Sequence, residues 1–193
     1  MLADINHSEQ RVLVSEHLKI WQAAEQLLPN KDLGLQMGAH SDPQNRGIVG
    51  LTFAASADLN CAVANKLKYT KILAEHICLL KEQDQDTFAI NYSIPPNYFH
   101  YYEIERVFSG FLNWVRVFVG ERVSPVRVCC QYAKPAHAAS YQKYFSCPIY
   151  FEQSDNLIVF ERTLLEHKNP QFNPYLYEIL QNRAKNLLLS LSS

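Results

Sequence analysis

A chain of 193 residues is long enough to bury one sizeable core, and its hydrophobic content of 48% without low-complexity tracts sets aside fibrous and disordered classes. The formal net charge of −1 argues against the concentrated basic surface with which a protein grips nucleic acid by itself. No stretch reaches the ~18 apolar residues of a membrane span, and the opening MLADINHSEQR has no apolar signal core, so a cytoplasmic chain with no membrane partner is expected.

Residues 1–11 are polar and read as a flexible N-terminus. Residues 15–28 predict a helix with Ser15 as its cap and Leu18, Trp21, Ala24, Leu27 and Leu28 on one side, ended by Pro29. A short helix from Asp32 to Ala39 follows, then a loop over 41–47. The small, apolar run GIVGLTFAAS at 47–56 predicts a tightly packed helix, with Gly50 marking a close contact. Asp58 is the expected cap of a further helix through about Thr70.

The period then changes from that of a helix to that of a strand. Residues 75–81 and 87–94 flank the polar turn EQDQD and predict a hairpin, with Phe88, Ile90 and Tyr92 on its buried face. Residues 97–120 predict the helix around which the chain is organised. Ile104, Val107, Phe108, Phe111, Leu112, Val115, Phe118 and Val119 recur at three- and four-residue spacing, Asn97 is the expected cap and Gly120 the stop. A strand over 125–133, a helix from about Ala136 to Tyr144, a second hairpin over 147–161 and a short helix at 163–168 follow. Asn173-Pro174 opens a last helix carrying Leu176, Ile179, Leu180, Leu187, Leu188 and Leu191. The expected fold class is α+β: a helical N-terminal part, an antiparallel sheet of two hairpins plus a strand packed on the long central helix, and a C-terminal helix.

Catalytic signatures are absent: the sequence holds no GxSxG, no HExxH and no phosphate-binding glycine loop, and its seven histidines show no metal-ligand spacing. The five cysteines, at 61, 78, 129, 130 and 147, are odd in number and form no CxxC, which fits a reduced compartment. A Cys–His nucleophile assembled in space, such as Cys78 or Cys130 with His76 or His100, is the enzymatic alternative, and buried structural thiols are the simpler account. The densest local chemistry is the run FHYYEIER. Tyr98, His100, Tyr102 and Arg106 are the candidate ligand-binding residues, an aromatic wall with a guanidinium able to anchor a carboxylate or phosphate. A packed helix start with solvated charges is the competing account of the same residues. No enzyme activity, no cofactor and no metal are expected.

Three stretches in order carry a resemblance: DLGLQMG, GIVGLTFAASADLNCAV and KPAHAASYQKYFSCPIYFEQSDNLIVFERTLL. Together they resemble the N-terminal effector-binding domain of one branch of the AraC-family bacterial transcription regulators. In the last stretch Pro135, Ala136, His137, Tyr141, Phe145, Pro148, Phe151, Asn156, Leu157 and Phe160 fall on the family pattern in register. Ala57-Asp58 stands where the family has Pro-Thr, and Ser146 replaces a glycine. The resemblance implies a sensor domain over 12–172 that binds a small-molecule effector. It also implies a C-terminal helix over 173–193, used for homodimerisation or as a linker, and DNA contact only through a helix-turn-helix domain absent from this chain. The leucine-rich end suggests a piece cut in a linker. In this resemblance Tyr141 and Phe145 pack on the sheet, Pro148 starts an edge strand and Asn156 takes a left-handed turn position. A stand-alone haem- or lipid-binding domain is the alternative.

Overall fold

The computed structural model describes residues 13–29, 31–120 and 122–191; the expectation for residues 1–11 lies outside them. Four helices precede the first strand: α1 (Val14–Leu27), α2 (Leu33–Ala39), α3 (Gly47–Ala54) and α4 (Leu59–Leu73). Helix α1 starts one residue before Ser15 and has no side-chain cap. Of its expected apolar side only Trp21 is buried, and Leu27 and Leu28 face outward. Asp58 caps α4 as expected, its carboxylate accepting the Cys61 N–H at 2.9 Å. Gly50 packs against the Pro43 carbonyl of a single 3-10 turn, which is the close contact its position predicts.

Strands β1 (Cys78–Gln83) and β2 (Thr87–Ser93) form the first hairpin, with Phe88, Ile90 and Tyr92 inside. Helix α5 (Tyr101–Val119) is the predicted spine. Ile104, Phe108, Phe111, Leu112 and Val115 are fully or almost fully buried along it. Each such burial is worth ~1.5–3 kcal/mol, so this one stripe anchors the core. Gly120, in the left-handed region at φ 75°, ends the helix. The start differs from expectation. Pro96–Tyr98 form a 3-10 turn, Phe99 is extended, and His100 rather than Asn97 is the cap. The two prolines hold the chain out of helix long enough for the histidine ring to take one orphan N–H, that of Tyr102.

After α5 come β3 (Arg127–Cys129), α6 (Ala139–Phe145), β4 (Ile149–Tyr150), β5 (Leu157–Glu161) and α7 (Pro174–Ser190). The sheet order is β1-β2-β5-β3-β4, antiparallel except for the parallel pair β3–β4. The fold is α+β as expected, but the second hairpin does not form. Strand β5 inserts between β2 and β3, and β4 is left at the edge beside β3. Ile158, Val159 and Phe160 are all buried, which suits a central strand and not one arm of an exposed hairpin. Asn156 fixes that placement, accepting the Gln131 N–H at 2.9 Å while its amide reaches the Gln131 side chain at 2.7 Å. Its expected left-handed conformation belongs instead to Ser146 (φ 54°) and Glu152 (φ 56°).

Helix α2 lies directly on α5. A side chain at Gly34 would overlap the Tyr102 carbonyl and Glu105, and one at Gly38 would overlap Ser109 and the Arg106 carbonyl. The glycines of LGLQMG are therefore the contact that lets two backbones touch. Asn173 caps α7 as predicted. That helix is held by Ala184 and Leu188 in the core and by polar groups: Gln181 accepts from the Tyr69 hydroxyl at 2.6 Å and donates to Asn65 at 2.7 Å. Leu176, Ile179 and Leu189 remain exposed. Among the described residues no helix is long and apolar enough to cross a membrane.

Candidate functional site

The N-terminal half of α5 carries ionisable groups into the interior on two sides. On the first side α1 is clasped to it. The His100 Nδ1 accepts the Tyr102 N–H at 3.2 Å, which leaves the proton on Nε2, and that N–H donates to Glu25 of α1 at 3.2 Å. The Tyr101 hydroxyl donates to the other Glu25 oxygen. Trp21 stacks on His100 and sends its indole N–H to Glu103 at 2.9 Å. Glu103 is buried and doubly engaged by Arg106. Burial works to raise its carboxyl, but the Arg106 guanidinium outweighs that and holds it below the ordinary range.

His17 and His76, which lie far apart in sequence, close on the same carboxylate, the ligand atoms of His17, His76 and Glu103 falling within 4.8 Å of one another. Sequence spacing did not foretell this trio. It is a poor cation site all the same, because both Glu103 oxygens are committed to Arg106 and Trp21 and the guanidinium already supplies the positive charge that a metal would bring. His76 lies in the turn before β1 and not in the strand, with its Nδ1 buried and unpartnered. Burial pushes both imidazoles down, toward the neutral form.

On the second side Glu105, fully buried, accepts from His137 and from the Tyr141 hydroxyl, both at 2.6 Å, and Tyr141 shares a 2.7 Å bond with Tyr132. Its second oxygen has no partner, nor has the Tyr102 hydroxyl. Burial raises the Glu105 carboxyl, and the two donors only partly offset it. Tyr141 is buried against Phe145 and Phe151 and also serves this polar knot, a role its aromatic spacing did not reveal.

The four residues singled out in the sequence do gather around the start of α5. His100 and Tyr102 lie 5.1 Å apart, ring to ring, and Arg106 joins them through Glu103 and Trp21. Tyr98 stands to one side, against His76 at 6.3 Å. Arg106 is not a free anchor, since Glu103 already holds it. Glu103 stands in the same FHYYEIER run as His100, Tyr102 and Arg106, while Glu105 and Lys66 were missed, yet their signal was present. Glu105 lies three and seven residues before Phe108 and Leu112 of the apolar stripe, and Lys66 lies three after Val63 and four before the buried Thr70. A charged residue on a helix's buried face is the mark to look for. Burial raises the thiols of Cys130 and Cys147, to about 12 and about 11, away from the thiolate a nucleophile needs. Two surface hollows lie elsewhere. One, of about 270 Å³, is at the far end of α5 between Val117 and Asn169; the other, of about 600 Å³, is by Asp58 and Arg162.

Comparison with known proteins places this geometry among relatives. Residues 2–169 match the family described as the arabinose-binding domain of AraC transcription regulators, N-terminal. The chain is 26% identical over 171 residues to the ornithine utilization regulator of Pseudomonas aeruginosa, covering 88% of this chain and 50% of that protein. It therefore spans about half the length of that relative. In fold it is similar to the crystal structure of the transcriptional regulator CdpR from Pseudomonas aeruginosa. There the TM-score is 0.63 at 16% identity, over 92% of this chain and 67% of that one.

Proposed function

Because the chain belongs to the family of N-terminal arabinose-binding domains of AraC transcription regulators, we propose that it senses a small-molecule effector and controls an attached DNA-reading domain. The family match over residues 2–169 is the observation that carries this reading. The effector binds at the start of α5, against Tyr98, His100, Tyr102 and Arg106. Two copies pair, with the exposed apolar side of α7 as the natural seam, and DNA is contacted only by the attached domain, in the cytoplasm. The physical content is differential affinity: an effector shifts the arrangement of two copies only as far as it binds one arrangement better than the other.

The test is a thermal-shift screen of the 193-residue chain against small metabolites, amino acids included because a relative is named for the use of one. A ligand at a hundred times its dissociation constant adds ~2.7 kcal/mol of stability, a clear shift. The expected result is a hit weakened in Tyr98→Ala and Tyr102→Phe. Arg106→Ala is avoided, because stripping the partner from buried Glu103 costs ~3–5 kcal/mol by itself. A hit indifferent to both tyrosines keeps the function and moves the site.

A further inference from the structure

Helix α4 carries a lysine into the core. Lys66 is only 9% exposed, and its ammonium rests over the Trp114 ring at 4.3 Å from the centroid and near Phe111 at 5.7 Å. Among the described residues no carboxylate lies within ion-pair distance of it. Trp114 links it to a second cation. The indole N–H donates to the Ser41 hydroxyl oxygen at 3.2 Å, and the Arg46 Nε–H donates to the same oxygen at 3.0 Å. A third cation, Arg106, is two turns back along α5, and its charge reaches both Lys66 and Arg46. Tyr92 of β2 meets the same helix at Phe108, one turn before Phe111. Its ring packs edge-on against Phe108 at 5.3 Å, it is 1% exposed, its hydroxyl has no partner, and it also feels Arg106.

The charges do not balance. Arg106 is neutralised by Glu103, whose charge also reaches Arg46, while Lys66 faces both guanidinium groups with no anion of its own. Burying a charge without a counter-ion is costly, and the aromatic faces of Trp114 and Phe111 return only part of that cost. An unpartnered buried hydroxyl adds to the cost. A fold that holds a buried amine without a counter-ion, a half-buried guanidinium near it and an idle donor among aromatic walls is complementary to an anion with an apolar body.

We infer that the effector carries a carboxylate, and that Lys66, Arg46 and the Tyr92 hydroxyl receive it beside the Arg106–Glu103 pair. The inference rests on the effector-binding reading above, names the chemical class of the effector, and puts its charged end further along α5 than Tyr98, His100 and Tyr102, beside Phe111 and Trp114. Lys66 supplies the point charge, Arg46 a guanidinium edge and Tyr92 a neutral donor. Binding also restores the ammonium form of Lys66. Burial, first, and then the facing charges of Arg106 and Arg46 press its amine toward neutrality when no anion is present.

The test uses the full chain, with hexanoate, glutarate, L-glutamate and L-ornithine as probes, hexanamide as the neutral control and inorganic phosphate as a second anion. Binding is read by thermal shift and by calorimetry in two buffers of different ionisation enthalpy. The expected result is stabilisation by a carboxylate and none by hexanamide, with affinity falling ~10-fold or more in Lys66→Met and in Tyr92→Phe. At mildly alkaline pH the wild type takes up a proton on binding and Lys66→Met does not. Tyr92→Phe removes only an idle hydroxyl and stays folded, so a loss of binding there is not a loss of fold. Carboxylate binding unchanged in both variants overturns the inference. So does stabilisation by phosphate alone, or by no anion in the panel. A neutral metabolite that binds at Tyr98 and Tyr102 overturns the carboxylate while leaving the effector-binding reading intact.

Discussion

Replacing Lys66 by methionine should make the ligand-free protein more stable, against the usual direction of core substitutions. The amine is moved from its ordinary 10.5 down to about 7 by burial and by Arg106 and Arg46. At ~1.36 kcal/mol per pH unit, a difference of roughly three and a half units is a penalty of ~4–5 kcal/mol for the charged form. The sign follows from proton counts. Between the folded and unfolded values the unfolded chain holds the proton and the folded chain does not, so stability rises with pH across that window. The penalty is full below about 7 and is lost as pH climbs toward 10.5. Methionine fills a similar volume, and its loss of the contact to Trp114 returns only ~1–2 kcal/mol to the other side. Lys66→Met should therefore exceed wild type by ~2–4 kcal/mol at about pH 6, with the gap closing by roughly 2 kcal/mol by about pH 9. Urea unfolding of both proteins across that range measures it, and the difference between them cancels the buried thiols and phenols that titrate in both. A methionine variant less stable at about pH 6, or a gap that does not move with pH, would refute the reasoning, because Lys66 would then already have its counter-charge.

Gly38→Ala should cost ~3 kcal/mol or more, since the added methyl meets α5 backbone at Gly110 N within 2.7 Å and backbone cannot step aside; a melting curve reads it as a marked fall. Tyr141→Phe should cost ~1–3 kcal/mol, because it takes one of two donors from buried Glu105 and strands the Tyr132 hydroxyl. Losing that donor raises the Glu105 carboxyl further. A buried acid with a raised value favours the folded state only while protonated, so the loss should be greater at neutral pH than in mild acid, as denaturant unfolding at the two conditions will show. Ser146→Gly should stabilise by up to ~1 kcal/mol, because the serine sits in the left-handed region at φ 54° that glycine enters without strain; a lower midpoint in urea would contradict this.

Much of this protein could be read without coordinates where the signal is local. The α5 stripe, the Gly120 stop, and the Asp58 and Asn173 caps depend on a few neighbouring residues, and they stand as expected. The hairpin β1–β2 needs only one short turn, and it formed. The cap of α5 was misplaced by three residues, since a histidine ring acts there in place of the expected asparagine amide. The aromatic cluster at the helix start was visible as composition, but what each member does was not. Arg106 seemed a free anchor until Glu103, one turn earlier on the same helix, proved to hold it.

Pairing over long separations is another matter. Strands β4 and β5 are adjacent in sequence and alternate well enough for a hairpin, yet β5 goes to the centre of the sheet because its buried run needs partners on both sides. No local rule ranks that choice, as it depends on the area β2 and β3 offer together. The same holds for charge. Whether Lys66 is a solvated lysine or a buried one without an anion depends on Trp114 and Arg46 lying opposite it, and Ser41 joins those two only once α2, α3 and α5 have packed. The sequence by itself determined the elements, their caps and the family pattern, because those rest on short-range backbone geometry and hydrophobic spacing. Only the tertiary structure decided the sheet order, the commitment of Glu103 and the unbalanced charge around Lys66, because these are sums over contacts between residues far apart in the chain.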